Sequence, residues 1–356
     1  MKKMIFCLAM LIASCVCYAS VDADTTFYAP NNPMIQYVGR IDFTKPNLPK
    51  FWQPGVYITA KFTGKYCVVL LNDEMLYGTN HNYVEIIIDN KNFIRIKLTE
   101  KKNAILAANY LDSGEHTITI CKNTEAGIGS LTFAGLKCKA LLQPDAKPVR
   151  RIEFIGNSIT SGMANDLSEI PCGKGEWYDQ HNAYLSYGPI TARALNAQWQ
   201  LSSVSGIGLI HSCCAMAVTM PQVFDKINMR DDSIKWNFSS YIPDVVTVCL
   251  GQNDGIQDSS SFCKSYIQFI QRLRVYYPNA HIVCLNSPMA DEQLNPVLKR
   301  YISALVQAVN KQGDNYVSNF FYSKRYHNGC GDHPDLEEHK QMADELTGYL
   351  KKLMNW

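Results

Sequence analysis

The sequence predicts two domains of different class, an all-β jelly-roll sandwich followed by a three-layer αβα domain built on a parallel sheet. Three observations carry this. At 356 residues the chain is long for a single ordinary core. Residues 35–138 run in period two with no helical stretch between the runs. Beyond residue 150, apolar runs alternate with stretches of helical periodicity.

In chain order, Met1 to Tyr18 opens with Lys2 and Lys3 and continues as an apolar run over residues 4–13. That is the layout of a bacterial export signal, and the run is too short to span a bilayer stably. Residues 1–19 are therefore expected to be a signal peptide, leaving by cleavage after Ala19 or by lipoprotein processing with the lipid on Cys15. Either exit places the protein outside the bacterial cytoplasm, as a periplasmic, secreted or outer-membrane lipid-anchored chain.

Residues 20–142 are read as the sandwich. Val56, Ile58, Ala60 and Phe62 alternate with Tyr57, Thr59 and Lys61, and similar runs follow at 66–71, 83–88, 93–98 and 116–121. Turn residues such as Asn72-Asp73, Asp89-Asn90 and Ser113-Gly114 bound them. Residues 143–150 hold Pro144 and Pro148 in a polar setting and read as a linker. From 151 to 356, strands are expected at 152–155, 198–204, 245–250, 281–285 and 316–321. Helices are expected at 183–195, 262–276, 294–309 and 336–353. Strands apolar along their whole length imply a parallel sheet covered on both faces, whose sites form at the carboxyl ends of its strands.

The charge is nearly balanced, 34 Lys and Arg against 32 Asp and Glu, without a block of either sign, so nothing points to nucleic acid or an acidic partner. The 13 cysteines show no Cys-x-x-Cys spacing and imply no metal site, while Cys249 and Cys284 lie in apolar runs where a thiol acts as a small hydrophobe.

Four residues then combine into one chemistry. Ser158 follows the run 152–155 through Gly156-Asn157, a strand delivering a serine to its tip. His333 lies in the polar loop before the last helix, with Pro334 and Asp335 as a rigid support. Asn253, in Gly251-Gln252-Asn253-Asp254-Gly255, offers a side-chain amide, and Gly206 an unobstructed backbone N–H. A nucleophile, a base and oxyanion donors are what ester hydrolysis needs. The other histidines, His81, His116, His181, His211, His281, His327 and His339, are expected to be structural.

In their order, one in each block, these residues resemble the four blocks of the SGNH (GDSL) hydrolase superfamily. HNAYLSYGPITARALNAQWQLSSVSGIG and PDVVTVCLGQNDG, with YVGRIDF and GEHTITI in the preceding sandwich, narrow the resemblance to carbohydrate esterase family 2, of the acetyl xylan esterase type. The resemblance implies a serine esterase that removes acetyl groups from plant polysaccharides such as xylan or mannan, with no metal or other cofactor. It implies Ser158 as nucleophile, His333 as base, and Ser158, Gly206 and Asn253 as the oxyanion hole. Where many relatives of the superfamily have an aspartate two or three residues before the histidine, this chain has Gly331 and Cys330. A backbone carbonyl of Cys330 or a neighbour is expected to orient the imidazole, with Asp332 as the alternative. A tryptophan common just before that histidine is missing, and Trp177 or Tyr178 is expected to supply a sugar platform instead. Two rival readings stand beside this one: a lipase or thioesterase of the same superfamily acting on longer acyl chains, and an inactive glycan-binding protein.

Overall fold

The computed structural model describes residues 25–108, 111–230 and 233–356. The expectations on residues 1–19, including cleavage after Ala19 and a lipid on Cys15, lie outside them. No helix among the described residues is long and apolar enough to cross a membrane.

Among the described residues the first domain is an antiparallel sandwich of ten strands. Its centre is the strand Tyr57–Asp73, which pairs with Ile35–Val38, Lys102–Ala108, Glu115–Lys122 and Leu131–Leu142. The sequence shows two runs here, 56–62 and 66–71, but the chain continues as one strand. The buried set moves from even positions (Ile58, Ala60, Phe62) to odd ones (Cys67, Val69, Leu71) across Gly64, whose φ is +106°. The ladder shifts register between Cys67 and Val68 and at two places on Leu131–Leu142, as bulges do. The alternation therefore keeps an apolar face turned inward although its phase changes, and Asn72-Asp73 is strand rather than turn.

Residues 143–149 join the two sheets without a regular element. Among the described residues the second sheet has five parallel strands, in the spatial order Ala197–Ser203, Arg150–Gly156, Val245–Cys249, His281–Leu285 and Val317–Phe320. Both faces are apolar. Ile152, Phe154 and Val245 pack on one side with Tyr187–Ala194 and Leu336–Met354, while Ile155, Val246 and Val248 pack on the other with Ser259–Tyr276 and Leu294–Lys311. The first strand in sequence has a neighbour on each side and the order reverses there, so its carboxyl end opens the crevice where such sheets bind ligands.

One helix begins later than its periodicity predicts. The segment before Tyr187 is held by other loops: Asn182 N–H donates to the Gly162 carbonyl, Ala183 N–H to that of Asn123, and Tyr184 N–H to Asn123 Oδ1. Those donors are satisfied outside a helix, so the helix starts only where they end.

The two domains share buried polar contacts. Arg40 of the sandwich is fully buried, with Nη2 3.0 Å from Glu153 Oε1, and it also donates to the carbonyls of Phe224 and Lys226. Glu153 lies in the first parallel strand and also accepts from Gln200 Nε2 at 3.0 Å and Ser202 Oγ at 2.5 Å. A buried carboxylate needs such partners. The strand that leads to Ser158 therefore has its charge compensated from the other domain.

Candidate active site

Three neighbouring parallel strands end side by side, with Gly156 in register with both Ser203 and Cys249. Just beyond those ends stand Ser158, Gly206 and Asn253, so the sheet register brings together residues about fifty positions apart in sequence.

Ser158 is the first residue of the short helix Ser158–Ser161, capped by Asn157, whose Oδ1 accepts the Ile159 N–H at 3.2 Å. The helix stops at Gly162, whose φ of +72° brings it so close to Asn182 that a Cβ would stand 2.4 Å from that residue's carbonyl oxygen. Ser158 is 5% exposed, and as the first helical residue its N–H has no partner within the helix.

His333 is half-buried at the end of the turn Cys330–Asp332. Its Nε2 lies 2.8 Å from Ser158 Oγ. Its Nδ1 lies 3.2 Å from the Cys330 carbonyl oxygen and 3.0 Å from that of Gly331. Two acceptors at Nδ1 fix the proton there and leave Nε2 as the acceptor for the serine hydroxyl. Asp332 does not orient the ring. Its carboxylate is 70% exposed and faces Arg325 at 3.7 Å, because the backbone at Asp332 takes φ +59° and turns the side chain away. That alternative is therefore corrected in favour of the carbonyls.

The loop is fastened from three directions. Cys330 N–H donates to the Ala164 carbonyl, and a disulfide joins Cys330 to Cys172 across 158 positions. Asp335 caps the last helix, accepting from Glu338 N–H at 2.8 Å, while Glu338 accepts the Asn328 N–H at 2.7 Å. Burial holds the His333 imidazole below the ordinary histidine range, and the two carbonyls oppose that.

The remaining donors lie on two irregular loops. The Gly206 carbonyl accepts from Cys213 N–H at 2.9 Å, while its own N–H meets no acceptor among the described residues. Asn253 Nδ2 donates one hydrogen to the Ile207 carbonyl at 2.8 Å, which fixes the amide and leaves its second hydrogen. Asp254, 2% exposed, accepts the N–H groups of Leu209, Ile210 and His211 at 2.9, 2.7 and 3.0 Å. At Gly208 a Cβ would stand 1.8 Å from the His211 carbonyl oxygen, so only glycine fits this hold.

Of the two residues expected to form a sugar platform, the structure separates one from the other. Trp177 is 49% exposed, but Tyr178 is 1% exposed, with its hydroxyl accepting the His81 N–H at 3.3 Å. Tyr178 is thus corrected to a packing residue that has no free face for a sugar. Trp177 stands edge-on to His181 at 5.0 Å between ring centroids. His181 is fully buried with Nε2 3.5 Å from Glu125 Oε1. Neither His181, Glu125 nor Asp254 is among the site residues read from the sequence. Asp254 was visible beside Asn253, whereas nothing in the sequence marks Glu125, which comes from the sandwich. Among the described residues no group of three or more His, Cys, Asp or Glu side chains is placed to hold a metal ion.

Known proteins resemble this chain over both of its domains. The profile described as Carbohydrate esterase 2 N-terminal matches residues 37–148, and that of the GDSL-like Lipase/Acylhydrolase family matches residues 154–345. The Cellulase/esterase CelE of Acetivibrio thermocellus is 32% identical over 92% of this chain, which spans only 40% of that protein's length. An acetylxylan esterase / glucomannan deacetylase of Cellvibrio japonicus is 28% identical over 97% of this chain and 96% of its own length. The solved structure of a family two carbohydrate esterase from Clostridium thermocellum, in complex with cellohexaose, superposes with a TM-score of 0.83 at 29% identity, over 90% of this chain and 99% of that one.

Two outcomes follow. A base must be neutral to accept a serine proton, so if His333 is that base, activity is expected to fall as pH drops through its pKa. The acid limb of kcat/KM is expected below the ordinary histidine value of about 6.5; a limb centred at about 7 or above contradicts it. Asp332→Asn is expected to keep kcat within about threefold, whereas amidating a true triad acid costs about 10⁴-fold.

Proposed function

The chain belongs to the GDSL-like lipase/acylhydrolase family and carries the amino-terminal domain of the family 2 carbohydrate esterases, and from that membership we propose that it is a carbohydrate O-acetylesterase working through an acetyl-serine on Ser158. The observation that carries the reading is the line from the Cys330 and Gly331 carbonyls through His333 to Ser158 Oγ, with contacts of 3.2, 3.0 and 2.8 Å.

Each step has an atom to perform it. His333 Nε2 takes the proton of Ser158 as Oγ bonds to the acetyl carbonyl carbon. The oxyanion that forms accepts from the N–H groups of Ser158 and Gly206 and from Asn253 Nδ2. Collapse breaks the bond to the sugar oxygen, which leaves with the proton held on His333. Water then gives a proton to His333 and attacks the acetyl-serine; acetate departs and Ser158 regains its hydrogen. The two carbonyls stabilise the transient imidazolium in each half.

The relatives' names point to the substrate class, acetylated xylan or glucomannan. Trp177, exposed and edge-on to His181, supplies a ring on which a sugar can stack. The chain acts outside the cytoplasm, a reading that rests on the export-like first residues and is supported by the Cys172–Cys330 disulfide, a bond that persists in oxidising compartments.

A panel of 4-nitrophenyl esters tests the proposal. Acetate is expected to be cleaved faster than octanoate, with Ser158→Ala lowering kcat by at least about 10³-fold. Faster cleavage of octanoate favours a lipase instead, and an unchanged rate in Ser158→Ala removes the nucleophile assignment.

A further inference from the structure

The loop that carries Gly206 belongs to no strand or helix, so the direction of its N–H depends on what fastens the loop. After Gly206 the fastening is internal, through Asp254 on three successive N–H groups. Before Gly206 it comes from the other domain. The Ser205 N–H, one peptide ahead of the oxyanion donor, is bonded at 2.7 Å to Glu125 Oε2.

Glu125 is built to hold that bond. It lies between the sandwich strands Glu115–Lys122 and Leu131–Leu142 and is 2% exposed. Its other oxygen faces His181 Nε2 at 3.5 Å. Lys122 Nζ, itself buried, donates to the Glu125 carbonyl at 3.2 Å, and Arg230 Nη1 donates to that of Ala126 at 3.2 Å. Although burial pushes the Glu125 carboxyl up, hydrogen bonds from His181 and Ser205 bring it below the usual range, so it is an anion at neutral pH. A buried carboxylate bonded through Oε2 to Ser205 and faced at Oε1 by His181, on a loop whose carbonyls accept from Lys122 and Arg230, has little freedom.

We propose that Glu125 is a positioning residue for the reaction: its carboxylate, reaching across from the sandwich, fixes the Ser205 peptide and thereby aims the Gly206 N–H at the developing oxyanion. The sandwich is then a working part of the hydrolase site. This rests on the esterase reading above, in which Gly206 is an oxyanion donor.

Two substitutions in the full chain separate position from charge. Glu125→Gln keeps the side-chain length and an oxygen that can accept from Ser205, but loses the charge. Glu125→Asp keeps the charge and withdraws it by one methylene. Both keep a polar group in the site, so neither leaves the hole that alanine would. With 4-nitrophenyl acetate, Glu125→Asp is expected to have a kcat at least about tenfold below that of Glu125→Gln, with KM values within about threefold, since small displacements of catalytic groups cost up to about 10²-fold. In an active wild type, Glu125→Asp equal to or faster than Glu125→Gln overturns the role of Glu125, as does a loss confined to KM. A wild type that releases no acetate, or whose rate survives Ser158→Ala, overturns the esterase reading and this proposal with it.

Discussion

The site depends on how the His333 ring is held between Ser158 Oγ and two backbone carbonyls. An imidazole that must take a proton and return it has to keep one tautomer, and the partner at Nδ1 decides which. A carboxylate in that place would favour the charged ring strongly. Carbonyl dipoles favour it less, so in a half-buried setting the ring stays neutral and ready to accept. The arrangement demands an accurately placed backbone. That is why Cys330 is tied at its N–H by Ala164 and at its sulfur by Cys172, and why the next helix is capped immediately afterwards by Asp335.

The same economy of backbone and buried charge links the two domains. Arg40 compensates Glu153 inside the strand that leads to Ser158, and Glu125 reaches the peptide ahead of Gly206. Buried ions left without partners are strongly unfavourable, so each contact ties the packing of the sandwich to the conformation of the catalytic sheet. A hydrolase domain separated from its sandwich would expose or orphan both carboxylates.

Much of this was legible in the sequence, for reasons that particular residues make plain. Period-two alternation at 56–62 and unbroken apolar runs at 245–250 and 281–285 report burial on one face or on two, and that contrast is what distinguishes the sheets. Ser158, Gly206, Asn253 and His333 stood out as candidates because each follows a strand or precedes a helix in a motif of small residues, and the structure puts His333 Nε2 2.8 Å from Ser158 Oγ. The continuity of Tyr57–Asp73 was not, since a bulge at Gly64 looks like a turn in a one-dimensional pattern. Tyr178 could not be told from Trp177, because exposure depends on what packs against a ring. Glu125 and the Cys172 partner of Cys330 act across 80 and 158 positions, distances over which no local pattern operates.

The central claim is an acetyl group carried on Ser158. Rapid quenching during turnover of an acetylated substrate, followed by proteolysis and mass spectrometry, tests it directly. One acetyl group is expected on the peptide containing Ser158, absent in Ser158→Ala. Steady hydrolysis with the acetyl group on another residue, or with no acetyl-enzyme even when deacylation is slowed, would contradict it.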